Sequence, residues 1–166
     1  MKRHIAIVSP KIIDFIEYFS PLGKGGDGKA GIGAITLSPF IISWYEMSEM
    51  TERHEAIHVH QQQECSFLLS LFLLPLTLLF GWKVLPIILM MWLPFIGPFY
   101  WLYGGFYLIG LVKYRNLWKE SDLIRASDLG DFAYYRIPFE QEAYDHQTNT
   151  SYLNTRKPFA WLKYSV

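Results

Sequence analysis

A His-Glu-x-x-His motif in the first half of the chain combines residue types that bind a metal ion and use it. The motif consists of His54, Glu55 and His58. On a helix, side chains four positions apart lie on one face, so the two imidazoles can reach one cation. Neutral imidazole is a good zinc ligand, and zinc activates a water whose proton a neighbouring glutamate can take. The motif therefore predicts a Zn²⁺ site with His54 and His58 as ligands and Glu55 as the catalytic base.

A catalytic zinc usually has three protein ligands and one open position, so a third ligand is needed. Residues 139–147 are rich in acids and suit a short helix that starts at Pro138. Either Glu140 or Glu142 qualifies as the third ligand. Their side chains point about 200° apart on a helix of about 3.6 residues per turn, so only one of them can bind. Residue type and spacing leave the choice open.

Other polar side chains near these motifs can support a metal site. Gln61 lies three positions after His58 and can hydrogen-bond a ligand. His146 shares a helix face with Glu142, and it can orient a ligand or stabilise an oxyanion. Tyr144 can also stabilise an oxyanion. For each of these side chains, a purely structural role as a packed or solvated group is the alternative.

Two elements are expected before the motif. Residues 5–8 suit a short strand, and residues 34–43 are β-branched and aromatic and suit another, which Pro39 makes an edge strand or marks with a bulge. We expect the strand 34–43 to align a peptide substrate. Thr51 is expected to cap the helix that carries the motif.

The middle of the chain is apolar enough to suggest a membrane. Residues 66–82 carry no charge, and after Lys83 residues 84–112 are again uncharged. A span needs about 20 apolar residues, with about 17 as the lower limit, so these two runs predict a membrane hairpin with its turn near Gly81. Four prolines in the two runs leave a re-entrant or shallow interfacial arrangement as the alternative.

Charge predicts the orientation of this hairpin. Lysine and arginine are frequent before and after the apolar middle, whereas the expected turn carries only Lys83. The positive-inside rule then places both termini and the metal site on the cytoplasmic side of a membrane. An even number of crossings is required, because otherwise the His-Glu-x-x-His motif and the acidic segment could not meet.

The expected fold class is α+β and mainly α. It comprises a small N-terminal sheet with the metal-binding helix (1–64), a hydrophobic helical hairpin (65–112) and a C-terminal segment with the acidic helix (113–166). These three parts form one functional unit. A single cysteine, Cys65, excludes an internal disulfide and a cysteine-based zinc cluster.

The charge balance limits the partners. Lys plus Arg and Asp plus Glu number 15 each and no basic run appears, so nucleic-acid binding is not expected. The expected partners are a peptide or protein substrate and membrane lipid.

The motif HEAIH followed by a separate acidic helix resembles the gluzincin class of zinc peptidases. Membrane members of that class, such as the prenyl-protein and heat-shock membrane peptidases, pair His-Glu-x-x-His with a later Glu-x-x-Ala-Asp, whose first Glu is the third ligand. Glu140 to Ala143 matches the Glu-x-x-Ala part. The resemblance therefore implies Glu140 as the third ligand. Tyr144 stands where the class has Asp and the acid follows at Asp145, so Glu142 remains the alternative.

A second resemblance covers about half the chain. The segments IHVHQQQE, PFEQEAYDH and YLNTRKPFAWLKY are similar to a family of bacterial membrane-associated proteins that carry HExxHxxQQxE and a Phe-Glu-x-Glu-Ala-Tyr motif. No established activity comes with that family. The gluzincin resemblance implies a zinc-dependent metallohydrolase, specifically a peptidase. The main alternative is a non-catalytic membrane protein whose zinc site is structural or vestigial and which acts as an assembly or interaction module.

Overall fold

A computed structural model describes residues 4–19, 34–84, 86, 97–120 and 126–166 of the chain. The described part is mainly helical with a three-stranded sheet near the N-terminus, so the expected fold class is confirmed. The helices are α1 (Pro10–Phe19), α2 (Glu49–Phe80), α3 (Pro98–Glu120), α4 (Ala126–Tyr135), α5 (Pro138–His146) and α6 (Tyr152–Thr155), with 3-10 helices at Gly81–Val84 and Ala160–Lys163.

The sheet contains β1 (Ile5–Val8), β2 (Ala34–Leu37) and β3 (Phe40–Ser43) in the order β1-β3-β2. β1 is parallel to β3, and β2 is antiparallel to it. The expectation of one continuous strand over 34–43 was wrong, because the chain reverses at Ser38–Pro39 and forms a hairpin. Pro39 lies in that turn, where the sheet does not need its missing N–H. β3 can therefore be the central strand, and β2 lies at the edge.

Helix α2 carries the His-Glu-x-x-His motif and continues into the apolar part of the chain without a break. It begins one turn before Thr51, since Ser48 is the N-cap and its Oγ accepts from the Thr51 N–H at 3.1 Å. The expectation that Thr51 caps the helix was therefore wrong. The helix passes through Pro75 and ends at Gly81, whose φ of 64° closes the last turn with a hydrogen bond from its N–H to the Thr77 carbonyl.

Within the described residues, α2 is the one helix long and apolar enough to cross a membrane, judged by length and composition. Its apolar part, residues 66–80, is exposed: only 6 % of the most apolar stretch is buried. A core helix of a soluble protein would be mostly buried. The second apolar run is described from residue 97 onward, where α3 begins, and residues 85 and 87–96 lie outside the described residues.

The hydrophobic core lies where α2, α3, α5 and the C-terminal residues meet. Phe139 on α5 is fully buried and contacts the rings of Phe99, Phe106 and Trp161. This packing fixes α5 against α3 and the C-terminal 3-10 helix. Pro138 is the first residue of α5, as the sequence predicted. Helix α4, which packs against α3, was not anticipated.

Candidate metal centre

His54 and His58 present one ring nitrogen each to a common point. They lie one turn apart on α2, and their Nε2 atoms are 3.2 Å apart. The spacing of four residues produces this geometry, because it returns the side chain to the same helix face. Both imidazoles point into the protein, with 7 % and 6 % of their residue surface exposed.

Glu140 on α5 completes the cluster, although it lies 82 residues further along the chain than His58. Its Oε1 lies 3.2 Å from His58 Nε2, and its Oε2 lies 3.3 Å from His54 Nε2. Ligand atoms that are each about 2.0–2.1 Å from a tetrahedral zinc ion are about 3.3–3.4 Å apart. These contacts are close to the separations that a tetrahedral ion requires, although different oxygens of Glu140 face the two histidines.

One atom of this cluster lacks a hydrogen bond. Glu140 Oε2 is buried and has no hydrogen-bond partner. Every other buried side-chain oxygen or nitrogen of the described residues has one. A buried carboxylate oxygen without a partner is costly unless a cation satisfies it. The other oxygen, Oε1, accepts a hydrogen bond from the Tyr103 hydroxyl on α3 at 2.9 Å.

Glu140 is ionised in this setting. Its burial alone would raise the pKa of the carboxyl group, but the neighbouring imidazoles of His58 and His54 outweigh burial and hold the pKa well below its usual range. Two imidazoles and one carboxylate form a donor set typical of catalytic zinc, whereas Ca²⁺ and Mg²⁺ prefer oxygen ligands only. The buried cluster could thus hold a metal ion.

Comparisons with known proteins add no relative at this point. No family model, curated protein or solved structure matches this chain.

Two side-chain amides orient the imidazole rings. Gln61 Oε1 lies 2.7 Å from His58 Nδ1, and Gln147 Oε1 lies 3.2 Å from His54 Nδ1. An amide oxygen only accepts, so in each pair the Nδ1–H donates, and Nε2 is the ring nitrogen that faces Glu140. Arg53 supports the second pair, since its Nε donates to the Gln147 carbonyl at 2.8 Å.

Glu142, the alternative third ligand, takes part in a different network. It is fully buried and accepts hydrogen bonds from Arg156 Nε at 2.6 Å, Tyr152 at 2.8 Å and Gln61 Nε2 at 3.0 Å. Arg156 also pairs with Glu64, which accepts from Trp161 Nε1 at 3.1 Å. The guanidinium thus holds the two carboxylates away from the metal position.

Glu55 lies on the side of α2 that faces the sheet. The hydroxyl of Thr36 on β2 donates to its Oε2 at 2.6 Å. This bond fixes the carboxylate of the expected base and ties it to the edge strand. Glu55 is half-buried, in contrast to the buried His54 next to it.

The other expected supporting residues divide into two groups. Tyr144 contacts the site through its ring, which lies edge-on to His54 with centroids 4.6 Å apart. His146 lies away from the cluster: it stacks on Tyr152 at 3.7 Å, and its Nε2 is 3.4 Å from the Tyr164 hydroxyl. No role at the metal position follows for His146.

Sequence reasoning missed four residues that position the site. These are Thr36, Tyr103, Gln147 and Arg156. Each acts through a contact with a residue far away in the sequence, so no local spacing could reveal it. A sequence signal was available only for Gln147, which is a polar residue directly after the acidic helix, within a segment that carries a motif.

Proposed function

We propose that this protein is a membrane-embedded zinc metallopeptidase of the gluzincin type, which hydrolyses amide bonds near the membrane face. One observation carries the proposal. The carboxylate of Glu140 lies 3.2–3.3 Å from the Nε2 atoms of both histidines of the motif. A second helix thereby supplies the third donor and leaves one position for water or substrate.

The metal would be zinc because of the donor set. Two neutral imidazoles and a carboxylate suit Zn²⁺, and each imidazole has its outer nitrogen bonded to an amide oxygen as zinc-binding histidines do. When bound, the ion supplies a Lewis acid for the scissile carbonyl and a nucleophilic water at neutral pH.

The chain's own residues perform the proton transfers. Glu55 takes the proton of the attacking water and delivers it to the leaving amine. The Thr36 hydroxyl holds one oxygen of Glu55, so that the carboxylate keeps a fixed direction through both steps. Tyr103 and Gln61 position Glu140 and His58 but take no proton.

The placement near a membrane rests on α2. The helix rises about 1.5 Å per residue, so the apolar part that begins at residue 66 starts about 12 Å beyond His58 along the axis. The metal position is then close to the membrane surface, on the side where lysine and arginine are frequent. By the positive-inside rule that side is the cytoplasm.

The test is metal content together with turnover. Purified protein should carry one zinc per chain by mass spectrometry of the metal and should cut members of a broad peptide library. Glu55→Gln should retain the zinc and lose turnover by several orders of magnitude, whereas Glu140→Gln should lose both.

The competing function is a structural or vestigial zinc site in an assembly module. It predicts one zinc per chain with no peptide cut by the wild type, and no measurable consequence of Glu55→Gln. That result would reject the peptidase and retain the metal site.

A further inference from the structure

The outer edge of β2 is a place where an extended peptide can add a strand. β2 pairs with β3 on one side, and within the described residues no strand pairs with its other side. Backbone groups along a strand point alternately to either side. The Thr36 carbonyl and the Ser38 N–H point outward, because their partner lies on α2, so the backbone of Ala34 points outward as well.

Gln62 occupies part of this edge. Its Nε2 donates to the Thr36 carbonyl at 2.6 Å, and its Oε1 accepts from the Ser38 N–H at 2.8 Å. A side-chain amide presents the same donor and acceptor as a backbone amide. Gln62 therefore bonds to β2 as one amide of a neighbouring strand would.

Burial and hydrogen bonds hold the Gln62 side chain in this position. The residue is 7 % exposed, and its Nε2 also lies 3.3 Å from the Tyr100 hydroxyl, which itself donates to the Thr36 carbonyl. A buried amide with its donor and acceptor both satisfied is costly to displace. An incoming peptide would therefore be unable to pair with the backbone of Thr36 and Ser38, which is hydrogen-bonded to Gln62.

The blocked positions adjoin the expected base. Thr36 is the residue whose hydroxyl holds Glu55, so the level of Thr36 on the strand marks the level of the scissile bond. On one side of that level, toward Ser38, the outward backbone groups of the strand already have hydrogen-bond partners. On the other side, toward Ala34, which is half-buried, no hydrogen bond from the described residues takes up the outward backbone groups.

We propose that Gln62 is a specificity-determining residue, which restricts backbone pairing of a peptide substrate to the Ala34 side of the scissile bond. This inference rests on the proposed peptidase function. The substrate class is an extended peptide that is held by main-chain hydrogen bonds on one side of the cut only.

A backbone N-methyl scan tests the proposal. The zinc-loaded full chain cuts a peptide chosen from the library, and each amide of that peptide is then methylated in turn. Methylation should lower kcat/KM on one side of the cut only, by about 2- to 10-fold per paired amide, which is the loss expected for one backbone hydrogen bond.

Variants of Gln62 separate the block from its hydrogen bonds. Gln62→Ala frees the Ser38 N–H and one lone pair of the Thr36 carbonyl, whose other lone pair still accepts from Tyr100, so sensitivity to N-methylation should extend to the second side of the cut. Gln62→Leu refills the space without polar groups and should restore one-sided sensitivity. Gln63→Ala is the matched control, because Gln63 is exposed and bonds to the Ser38 hydroxyl instead of its backbone; it should behave as the wild type.

The outcomes distinguish the two proposals. A wild type that cuts peptides with sensitivity on both sides, or a folded Gln62→Ala protein that keeps one-sided sensitivity, overturns the role of Gln62 and leaves the peptidase intact. A zinc-loaded wild type that cuts no peptide overturns both. If Gln62→Ala does not fold, sensitivity of the wild type on both sides of the cut still overturns the proposal.

Discussion

The amide of Gln61 lies between His58, a residue of the candidate metal site, and the buried carboxylate of Glu142. Its Oε1 faces His58 Nδ1 at 2.7 Å, and its Nε2 donates to Glu142 at 3.0 Å and to the Phe139 carbonyl at 3.0 Å. Two acceptors at the nitrogen end fix which way the amide points. The oxygen must then face the imidazole, and the ring must present Nε2 to the candidate metal position.

Replacing Gln61 should therefore weaken metal binding. We expect Gln61→Leu to lower zinc affinity about 10- to 100-fold, the usual cost of removing a partner that orients a ligand. Competition with a chromophoric chelator measures the affinity. The control is Gln63→Leu on the exposed face of the same helix, and equal losses in the two variants would contradict an orienting role.

Removing the metal should lower stability through Glu140. Binding at about 100 times the dissociation constant contributes about 2.7 kcal/mol to the folded state, so a chelator should lower the melting temperature of the wild type. Glu140→Gln should show no such shift. Glu142→Gln should still bind one zinc, and a loss of zinc in that variant as complete as in Glu140→Gln would assign the third ligand differently.

Arg156 should be essential for stability even though it does not touch the metal. Its guanidinium pairs with two carboxylates, those of Glu64 and the fully buried Glu142. Arg156→Leu leaves these charges without a cation, and breaking a buried pair costs about 3–5 kcal/mol. Unfolding in detergent micelles measures the loss. Lys157→Leu, at the exposed neighbouring position, should change the free energy of unfolding little; similar losses would refute the role of the network.

Thr36 should affect turnover more than metal content. Thr36→Val keeps the shape of the side chain but removes the donor to Glu55, and a hydrogen bond to a charged group contributes about 1.5–3 kcal/mol. We expect kcat to fall about 10- to 100-fold at unchanged zinc stoichiometry. Thr36→Ser restores the hydroxyl and should recover most of the rate. A Thr36→Val protein with wild-type kcat would show that this contact does not position the base.

The apolar part of α2 should determine membrane association. Leu74 is 59 % exposed and lies near the middle of residues 66–80, and an arginine at the centre of a span costs about 2.5–3.5 kcal/mol. Leu74→Arg should move protein from the membrane fraction to the soluble or aggregated fraction after expression. Met50→Arg on the same helix, exposed but well before residue 66, should leave the fractionation unchanged. Equal fractionation of both variants would argue that residues 66–80 do not enter a bilayer.

The sequence by itself determined what repeats within one element. The spacing of four between His54 and His58 places both rings on one face of any α-helix, and Pro138 starts a helix because its ring presets φ and it lacks an N–H. The run of uncharged residues from 66 onward likewise indicates a long apolar helix. These features depend on backbone geometry and composition, so they need no knowledge of neighbouring elements.

Only the tertiary structure decided which residues meet. Residue type and spacing do not distinguish Glu140 from Glu142, and the packing of Phe139 into the core turns the first toward the histidines and the second toward Arg156. The division of 34–43 into a hairpin depends in the same way on pairing with β1. Contacts between residues about 80 positions apart are set by how whole elements pack, and local spacing carries no information about that packing.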